Sequence, residues 1–83
     1  MYFVYAIYNA KHNKIYIGQT ENLEQRIGSH NDKTFKNSFT SRFDGDWVLI
    51  YEEPLKNRPA ALNREKQLKS FRGREFIKIF VPR

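Results

Sequence analysis

Two short segments rich in β-branched and aromatic residues stand at the start of the chain, and they constrain its fold more than any other feature. They span residues 2–8 and 14–18, and the polar residues 9–13 between them are typical of a tight turn. The pattern predicts a β-hairpin. Because the first segment is apolar at consecutive positions, its strand is expected to be covered on both faces.

The segment after the hairpin has the signals of a helix start. Asn22 followed by Gln25 is typical of a capping pair, so we expect a helix that runs from Leu23 to about His30. Residues 31–46 are mostly polar and predict a long loop, of the kind that is often functional. Residues 47–51 predict a third strand, which ends at the charged residues and proline that follow.

The C-terminal third is predicted to be helical. Pro59 suits the first turn of a helix that reads through to Phe71, and Gly73 then breaks the pattern before a short amphipathic tail over residues 75–80. The resulting order is β-β-α-β-α-α in a single domain, residues 1–83. These elements indicate an α+β fold in which helices flank a three-stranded, mostly antiparallel sheet.

Positive charge is concentrated in the same C-terminal third. Up to residue 55, six Lys and Arg stand against seven acids, whereas from residue 56 nine basic residues stand against two acids. Such a field attracts a polyanion such as nucleic acid, and it equally keeps a small domain soluble. Composition leaves both interpretations open. Under the first, the residues expected to contact nucleic acid are Lys56, Arg58, Arg64, Lys66, Lys69, Arg72 and Arg74.

Composition also excludes several classes of protein. The chain has no cysteine, which rules out a disulfide framework, a thiolate metal site and a cysteine nucleophile, and is compatible with the cytoplasm. Its apolar residues 2–8 are too few to cross a membrane and lack the flanks of a signal peptide. We therefore expect a cytoplasmic protein without a membrane partner.

The predicted first helix carries Arg26 and His30 four residues apart. With Leu23 and Ile27 facing the core, these two side chains lie next to each other at the edge of the buried face. An arginine can hold a phosphate with two parallel hydrogen bonds, and a histidine can move a proton near neutral pH. The alternative is an arginine that reaches solvent and a histidine packed as a partly polar core residue.

Tyr5 and Tyr16 lie on the two strands of the predicted hairpin, and they share a face only if the strand register allows it. A phenol has a reference pKa of about 10, so it is a weak base at neutral pH unless a positive charge lies nearby. Taken singly, each tyrosine favours a core aromatic. Gly18 ends the second strand, where a glycine either terminates the strand or lets a backbone or ligand come close.

An acid, Glu65, falls within the apolar stripe of the second long helix. The stripe consists of Ala61, Leu62, Leu68 and Phe71. A carboxylate in such a place must be paired, protonated or bound to a cation, because burial of a bare charge is costly. Two interpretations remain open: a salt bridge to Lys69, four residues further on, and a ligand for a hard metal ion such as Mg²⁺.

These residues together resemble the GIY-YIG (URI-domain) nuclease family, in its small stand-alone bacterial form. The resemblance covers essentially the whole chain and implies the same sheet flanked by helices. It rests on Tyr5, Tyr16-Ile17-Gly18, Arg26 and His30 in order and spacing, and on residues 60–69 around Glu65, which look like the family's metal-binding helix. Two departures are Phe3-Val4 in place of the Gly-Ile of the first motif, and Arg72-Gly73-Arg74 where many members carry an asparagine.

The resemblance implies a one-metal hydrolysis of phosphodiester bonds in DNA. Glu65 would hold Mg²⁺ or Mn²⁺, Arg26 would bind the charge that builds on the phosphate, and Tyr5, assisted by Tyr16 or His30, would take a proton from the attacking water. Gly18 would have a structural role in the motif. The expected setting is DNA repair or processing, with branched or flapped DNA among the substrates and a monomeric enzyme.

Two other functions stay open. The two departures favour a nucleic-acid-binding module that keeps the fold without cleavage, and this module would show salt-sensitive binding. A small interaction domain whose charge only maintains solubility would show no DNA binding even at low salt. That last interpretation leaves Glu65 and the Arg26–His30 pair without an explanation.

Overall fold

The computed structural model describes residues 1–31 and 40–82 of the chain, so residues 32–39 of the predicted loop lie outside the described residues. The order β-β-α-β-α-α is confirmed, and so is the α+β class. No helix within the described ranges is long and apolar enough to cross a membrane. In chain order the elements are β1 (Tyr2–Asn9), β2 (Lys14–Thr20), α1 (Leu23–Asn31), a 3₁₀ turn (Thr40–Arg42), β3 (Trp47–Leu55), α2 (Arg58–Leu68) and α3 (Phe71–Lys78).

The sheet is antiparallel throughout, with the strand order β2-β1-β3 and the hydrophobic first strand in the centre. In the β1–β2 register, Tyr5 lies opposite Gly18 and Ile7 lies opposite Tyr16. Because side chains alternate between faces, all four residues belong to one face of the sheet. The register thus places the two tyrosines on the same side.

Each face of the central strand contributes to a separate hydrophobic cluster. Val4 and Ala6 pack with Ile17 and with residues of α2 and α3, whereas Tyr5 and Ile7 pack with Trp47 and with α1. This arrangement confirms that β1 is covered on both faces, as its continuous apolar pattern predicts. The helices therefore lie on opposite faces of a three-stranded sheet.

Side-chain hydrogen bonds fix both ends of α1. At its start the Asn22 Oδ1 atom accepts from the backbone N–H of Gln25 at 3.0 Å, which confirms the predicted cap. At its end the Asn31 amide donates to the carbonyl of Trp47 at 3.0 Å and accepts from the N–H of Trp47 at 2.7 Å. The helix is thereby held against the face of the sheet that carries Tyr5.

Two predicted boundaries differ from the structure. β3 continues through Pro54 to Leu55, because β3 is an edge strand and a proline without an N–H is tolerated there. The long C-terminal helix ends at Leu68 rather than Phe71, and Ser70 caps a new helix by accepting from the N–H of Gly73 at 3.2 Å. The break in the helical pattern is therefore made by Ser70.

Gly73 lies inside α3 and does not end a helix, contrary to the prediction. Its position allows α3 to approach the end of α2, since a Cβ on Gly73 would collide with the carbonyl oxygen of Gln67 and with the backbone of Leu68. The glycine is thus required by the close contact between two helices, which the local sequence does not reveal.

We expect Gly73→Ala to lower the free energy of unfolding by about 1–3 kcal/mol, because the backbone atoms it meets cannot yield without moving a helix. The matched control is Gly28→Ala in α1, where a Cβ would meet nothing within 4 Å. That change should raise the free energy of unfolding by about 0.5–1 kcal/mol through helix propensity alone. Urea denaturation measures both, and a stabilising Gly73→Ala would contradict the close contact.

Candidate active site

Tyr5 and Tyr16 project from adjacent strands over the glycine between them. Their ring centroids are 6.3 Å apart. A Cβ on Gly18 would lie 2.8 Å from the Tyr5 Oη atom and 3.0 Å from the Tyr16 Cε2 atom. Gly18 therefore leaves the space that both phenol rings occupy, which is compatible with the structural role expected of it.

His30 reaches the same place from the last turn of α1. Its Nε2 atom is hydrogen-bonded to the Tyr5 hydroxyl at 2.9 Å, and its ring centroid lies 4.9 Å from that of Tyr16. The His30 side chain is only 2% exposed. The sequence left two roles open for this histidine, a packed core residue and a group that moves a proton. The structure is compatible with both, because His30 is buried and is hydrogen-bonded to a phenol.

Thr40 is a fourth member of this group, and no sequence pattern predicts it. Its hydroxyl is 2.8 Å from the Nδ1 atom of His30, and the residue is 1% exposed. Thr40 begins the 3₁₀ turn before β3 and is ten positions from His30 in the chain. No local pattern distinguishes it from the other polar residues of the predicted loop, so only the tertiary fold identifies it.

Arg26 and Glu65 come from helices on opposite faces of the sheet, and both act on the same phenol. Burial raises the pKa of Tyr5 far above its usual value of 10, with further increases from Tyr16 and from the Glu65 carboxylate, while the Arg26 guanidinium opposes the shift. Both charges therefore lie close enough to Tyr5 to change its ionisation. Tyr5, Tyr16 and His30 are in direct contact, and a common site that also includes Arg26 and Glu65 stays a prediction.

We expect the buried Tyr5 hydroxyl to make the protein less stable in alkali. The folded state holds this proton more tightly than the unfolded chain, so the associated stability is complete below pH 10 and is lost as pH rises above it. For one proton, the free energy of unfolding falls by about 1.4 kcal/mol for each pH unit above that point. Urea unfolding at about pH 8 and about pH 11, followed by Trp47 fluorescence, should show a smaller loss for Tyr5→Phe than for the wild type. Equal losses would contradict the raised pKa.

Glu65 is paired in the structure with the lysine that the sequence suggested. The carboxylate is 2.8 Å from the Nζ atom of Lys69, and the two side chains are 20% and 44% exposed. The predicted apolar stripe is partly wrong: Ala61 and Leu68 are buried, but Leu62 is 45% and Phe71 is 79% exposed. Glu65 is therefore accessible at the margin of the core rather than enclosed by it.

A cavity lies between Lys69, the partner of Glu65, and Tyr16. It has a volume of about 280 Å³ along the edge of β2, and its walls include Tyr16, Lys69 and Arg74. Tyr16 is half-buried, so it is the phenol that solvent reaches, whereas Tyr5 is 1% exposed. The cavity therefore provides an entrance to the cluster at Tyr16.

The other predicted nucleic-acid contacts are dispersed. Arg58 lines a cavity of about 320 Å³ together with Arg26. Arg64 forms an ion pair, with its Nε atom 3.0 Å from the Glu53 carboxylate. It lines a different cavity, together with Arg72. Lys56 and Lys66 are exposed. The structure thus brings Lys69 and Arg74 to a cavity beside Tyr16, and Arg58 to a cavity beside Arg26. Lys56, Arg64, Lys66 and Arg72 line neither cavity.

The residues 1–31 and 40–82 contain no group of three or more His, Cys, Asp or Glu side chains that could hold a metal ion by themselves. A carboxylate that is partly exposed, as Glu65 is, fits a different kind of site. Mg²⁺ in phosphate chemistry is often held by one or two carboxylates, water molecules and the substrate's own oxygens. The donor set therefore fits one ion that the substrate helps to bind.

A three-stranded antiparallel sheet with helices on both faces is the architecture expected of the nuclease family that the sequence resembles. Residues 1–76 match the GIY-YIG catalytic domain. The chain therefore belongs to the GIY-YIG family.

Relatives that match almost the whole chain are UPF0213 proteins. The chain is 35% identical over 83 residues to a UPF0213 protein of Staphylococcus haemolyticus (strain JCSC1435), a match that covers 99% of this chain and 96% of the relative. The solution NMR structure of a UPF0213 protein from Bacillus halodurans is similar with a TM-score of 0.52 and 25% identity, over 93% of this chain and 82% of that chain. The structural similarity agrees with the fold described above.

Proposed function

We propose that this protein is a metal-dependent endonuclease that hydrolyses phosphodiester bonds in DNA. The observation that carries the proposal is the hydrogen bond of 2.9 Å between the Tyr5 hydroxyl and the Nε2 atom of His30, with the Tyr16 ring 6.3 Å from that of Tyr5. The charges of Arg26 and Glu65 both affect the pKa of this phenol. Hydrolysis of a phosphodiester requires a cation for the phosphate, a ligand for a metal and a group that accepts a proton. The cluster supplies all three.

Arg26 is the group that we assign to the reacting phosphate. Its guanidinium keeps its charge at any working pH and can donate two parallel hydrogen bonds to phosphate oxygens. It lies beside a surface cavity that Arg58 also lines, so a phosphate can approach it from solvent. The arginine would stabilise the charge that accumulates on the phosphate oxygens in the transition state.

Glu65 is the residue that we assign to the metal, either Mg²⁺ or Mn²⁺. Its present partner, Lys69, is 44% exposed and is free to turn toward solvent or toward a phosphate. When bound, the ion would neutralise charge on the phosphate and stabilise the leaving 3′ oxygen. A single accessible carboxylate favours one ion over a two-metal site.

The phenol–imidazole pair is the proposed acceptor of a proton. The oxygen of water forms a bond to phosphorus as the bond to the 3′ oxygen breaks, and the 3′ oxygen takes a proton from solvent. The attacking water would have to enter past Tyr16, because Tyr5 is 1% exposed and Tyr16 is half-buried. The water's proton passes to the Tyr5 Oη atom while Tyr5 passes its own proton to the Nε2 atom of His30, 2.9 Å away. No phenolate accumulates, which matters because the raised pKa of Tyr5 opposes one.

Basic residues on both sides of Glu65 would hold the DNA strand. Arg58 begins α2 and Lys69 follows its end, and each lines a cavity at the edge of β2. A helix of this length separates them by about 16 Å, with Glu65 in between. A strand bound along α2 would therefore have phosphates held on both sides of the reacting one.

The test is incubation of the purified protein with single-stranded, duplex, flapped and branched DNA, in Mg²⁺ and in EDTA. We expect cleavage that requires the metal and is absent from the double variant Arg26→Ala/Glu65→Ala, which controls for a contaminating nuclease. Cleavage by the double variant at the wild-type rate would refute the proposal. A preference for flapped or branched DNA would support a place in DNA repair or processing.

A DNA-binding module without cleavage is the second candidate, and the Glu65–Lys69 ion pair favours it, because a lysine then occupies the carboxylate that a metal needs. This function predicts binding that weakens steeply with salt and no turnover with Mg²⁺ or Mn²⁺. Anisotropy measurements over a range of salt concentrations, together with the cleavage assay, distinguish the two candidates.

A further inference from the structure

Three buried side chains form a continuous line of hydrogen bonds. The Tyr5 hydroxyl contacts His30 Nε2 at 2.9 Å, and His30 Nδ1 contacts the Thr40 hydroxyl at 2.8 Å. Their exposed fractions are 1%, 2% and 1%, so solvent does not compete for these bonds. The line joins strand β1, helix α1 and the 3₁₀ turn.

We infer that Thr40 is a positioning residue that holds His30 in the tautomer with the proton on Nδ1, so that the free lone pair of Nε2 faces Tyr5. The inference rests on the proposed function, because the direction of this line matters only if the pair accepts a proton. It concerns a residue that does not touch the phosphate or the water and acts through His30.

The tautomer of His30 follows from the hydrogen bond that the buried Tyr5 hydroxyl must donate. A neutral imidazole carries one proton and one lone pair, and each nitrogen of His30 has a hydrogen-bond partner among the described residues. Among residues 1–31 and 40–82, the Tyr5 hydroxyl has no hydrogen-bond partner other than His30. If Nε2 carried the proton, the buried O–H of Tyr5 would have no acceptor in this part of the chain, which is unfavourable.

The favoured arrangement satisfies every contact in the line. Tyr5 donates its O–H to Nε2, and Nδ1–H donates to the oxygen of Thr40. Nε2 is then ready to accept the proton of Tyr5 at the moment when Tyr5 receives one from water. A hydroxyl at position 40 is required for this role, and the methyl group of the threonine is not.

The test compares Thr40→Val, which keeps the shape but has no oxygen, with Thr40→Ser, which keeps the oxygen. Two-bond ¹H–¹⁵N NMR spectra of the imidazole report the tautomer directly, and the variant His12→Gln assigns the signals of the chain's other histidine. We expect the Nδ1–H form in the wild type and in Thr40→Ser, and a mixture or the Nε2–H form in Thr40→Val.

Cleavage assays provide the second readout. Thr40→Val should lower kcat by about tenfold to a hundredfold with KM unchanged. Thr40→Ser should retain most of the wild-type kcat. Urea unfolding of both variants separates a folding defect from a lost proton acceptor. An Nε2–H tautomer in the wild type, or an unchanged kcat in Thr40→Val, overturns the inference. If the wild type cleaves no DNA, the proposed function fails, while the NMR spectra still decide the tautomer.

Discussion

Glu65→Gln is expected to lower metal-dependent DNA cleavage by about a thousandfold or more. The glutamine is nearly isosteric with the glutamate, but its amide lacks the negative charge that a hard metal ion selects. The substitution should lower the free energy of unfolding only slightly, because it removes an i,i+4 ion pair with Lys69. Such pairs contribute about 0.3–0.5 kcal/mol. The measurement is the single-turnover cleavage rate over a range of Mg²⁺ concentrations.

Glu75→Gln is the matched control for this change. Glu75 is an acid on α3 that pairs with Lys78 at 2.8 Å, and both side chains are more than half exposed. The two variants remove the same charge from a helical Glu–Lys ion pair, yet only Glu65 is among the charges that affect the pKa of Tyr5. Similar rates in the two variants would show that Glu65 holds no metal, and would favour the DNA-binding module.

Arg26→Ala is expected to lower cleavage by about a thousandfold, with a smaller effect on DNA binding. The guanidinium is assigned to the charge of the transition state, and the loss of such a group typically costs two to three orders of magnitude or more in rate. Arg26→Lys retains the positive charge without the planar fork, so its rate should fall between those of the wild type and the alanine variant. Single-turnover rates and anisotropy titrations measure the two effects separately.

Arg42→Ala provides the comparison for Arg26. Arg42 is an exposed arginine at the end of the 3₁₀ turn and has no place in the proposed site. Its replacement removes the same charge and should leave the cleavage rate within about twofold of the wild type. If Arg26→Ala weakened DNA binding and cleavage by the same modest factor, the arginine would contribute general attraction for DNA and no specific stabilisation of the transition state.

Most of the fold was predictable because its signals are local. The continuous apolar pattern of β1, the polar turn that follows it and the Asn22 cap each act within a few residues, and all three are confirmed. The helix boundary near Ser70 was mislocated because Gly73 was interpreted as a breaker. A glycine is needed at position 73 because its backbone lies against Gln67 and Leu68. That contact depends on how two helices pack and not on local propensity.

The candidate site was predictable in its residue types but not in its arrangement. Tyr5, Arg26 and His30 could be selected from spacing and resemblance, and the structure brings them together. Glu65 was selected partly from an apolar stripe that includes two exposed residues, so that pattern is weaker than it looked and the role of Glu65 stays a prediction. Thr40 could not be selected, since a single threonine in a polar segment has no periodicity or motif.

The sequence by itself determined the elements, their order and the chemical groups available, because hydrophobic alternation, caps and turn residues act over distances of a few positions. The tertiary structure decided which groups meet. The β1–β2 register placed Tyr5 and Tyr16 on one face over Gly18, α1 brought His30 to Tyr5, and the return of the chain before β3 added Thr40. Such contacts join residues far apart in the chain, and only the packing of a helix on each face of the sheet brings the charges of Arg26 and Glu65 to the same phenol.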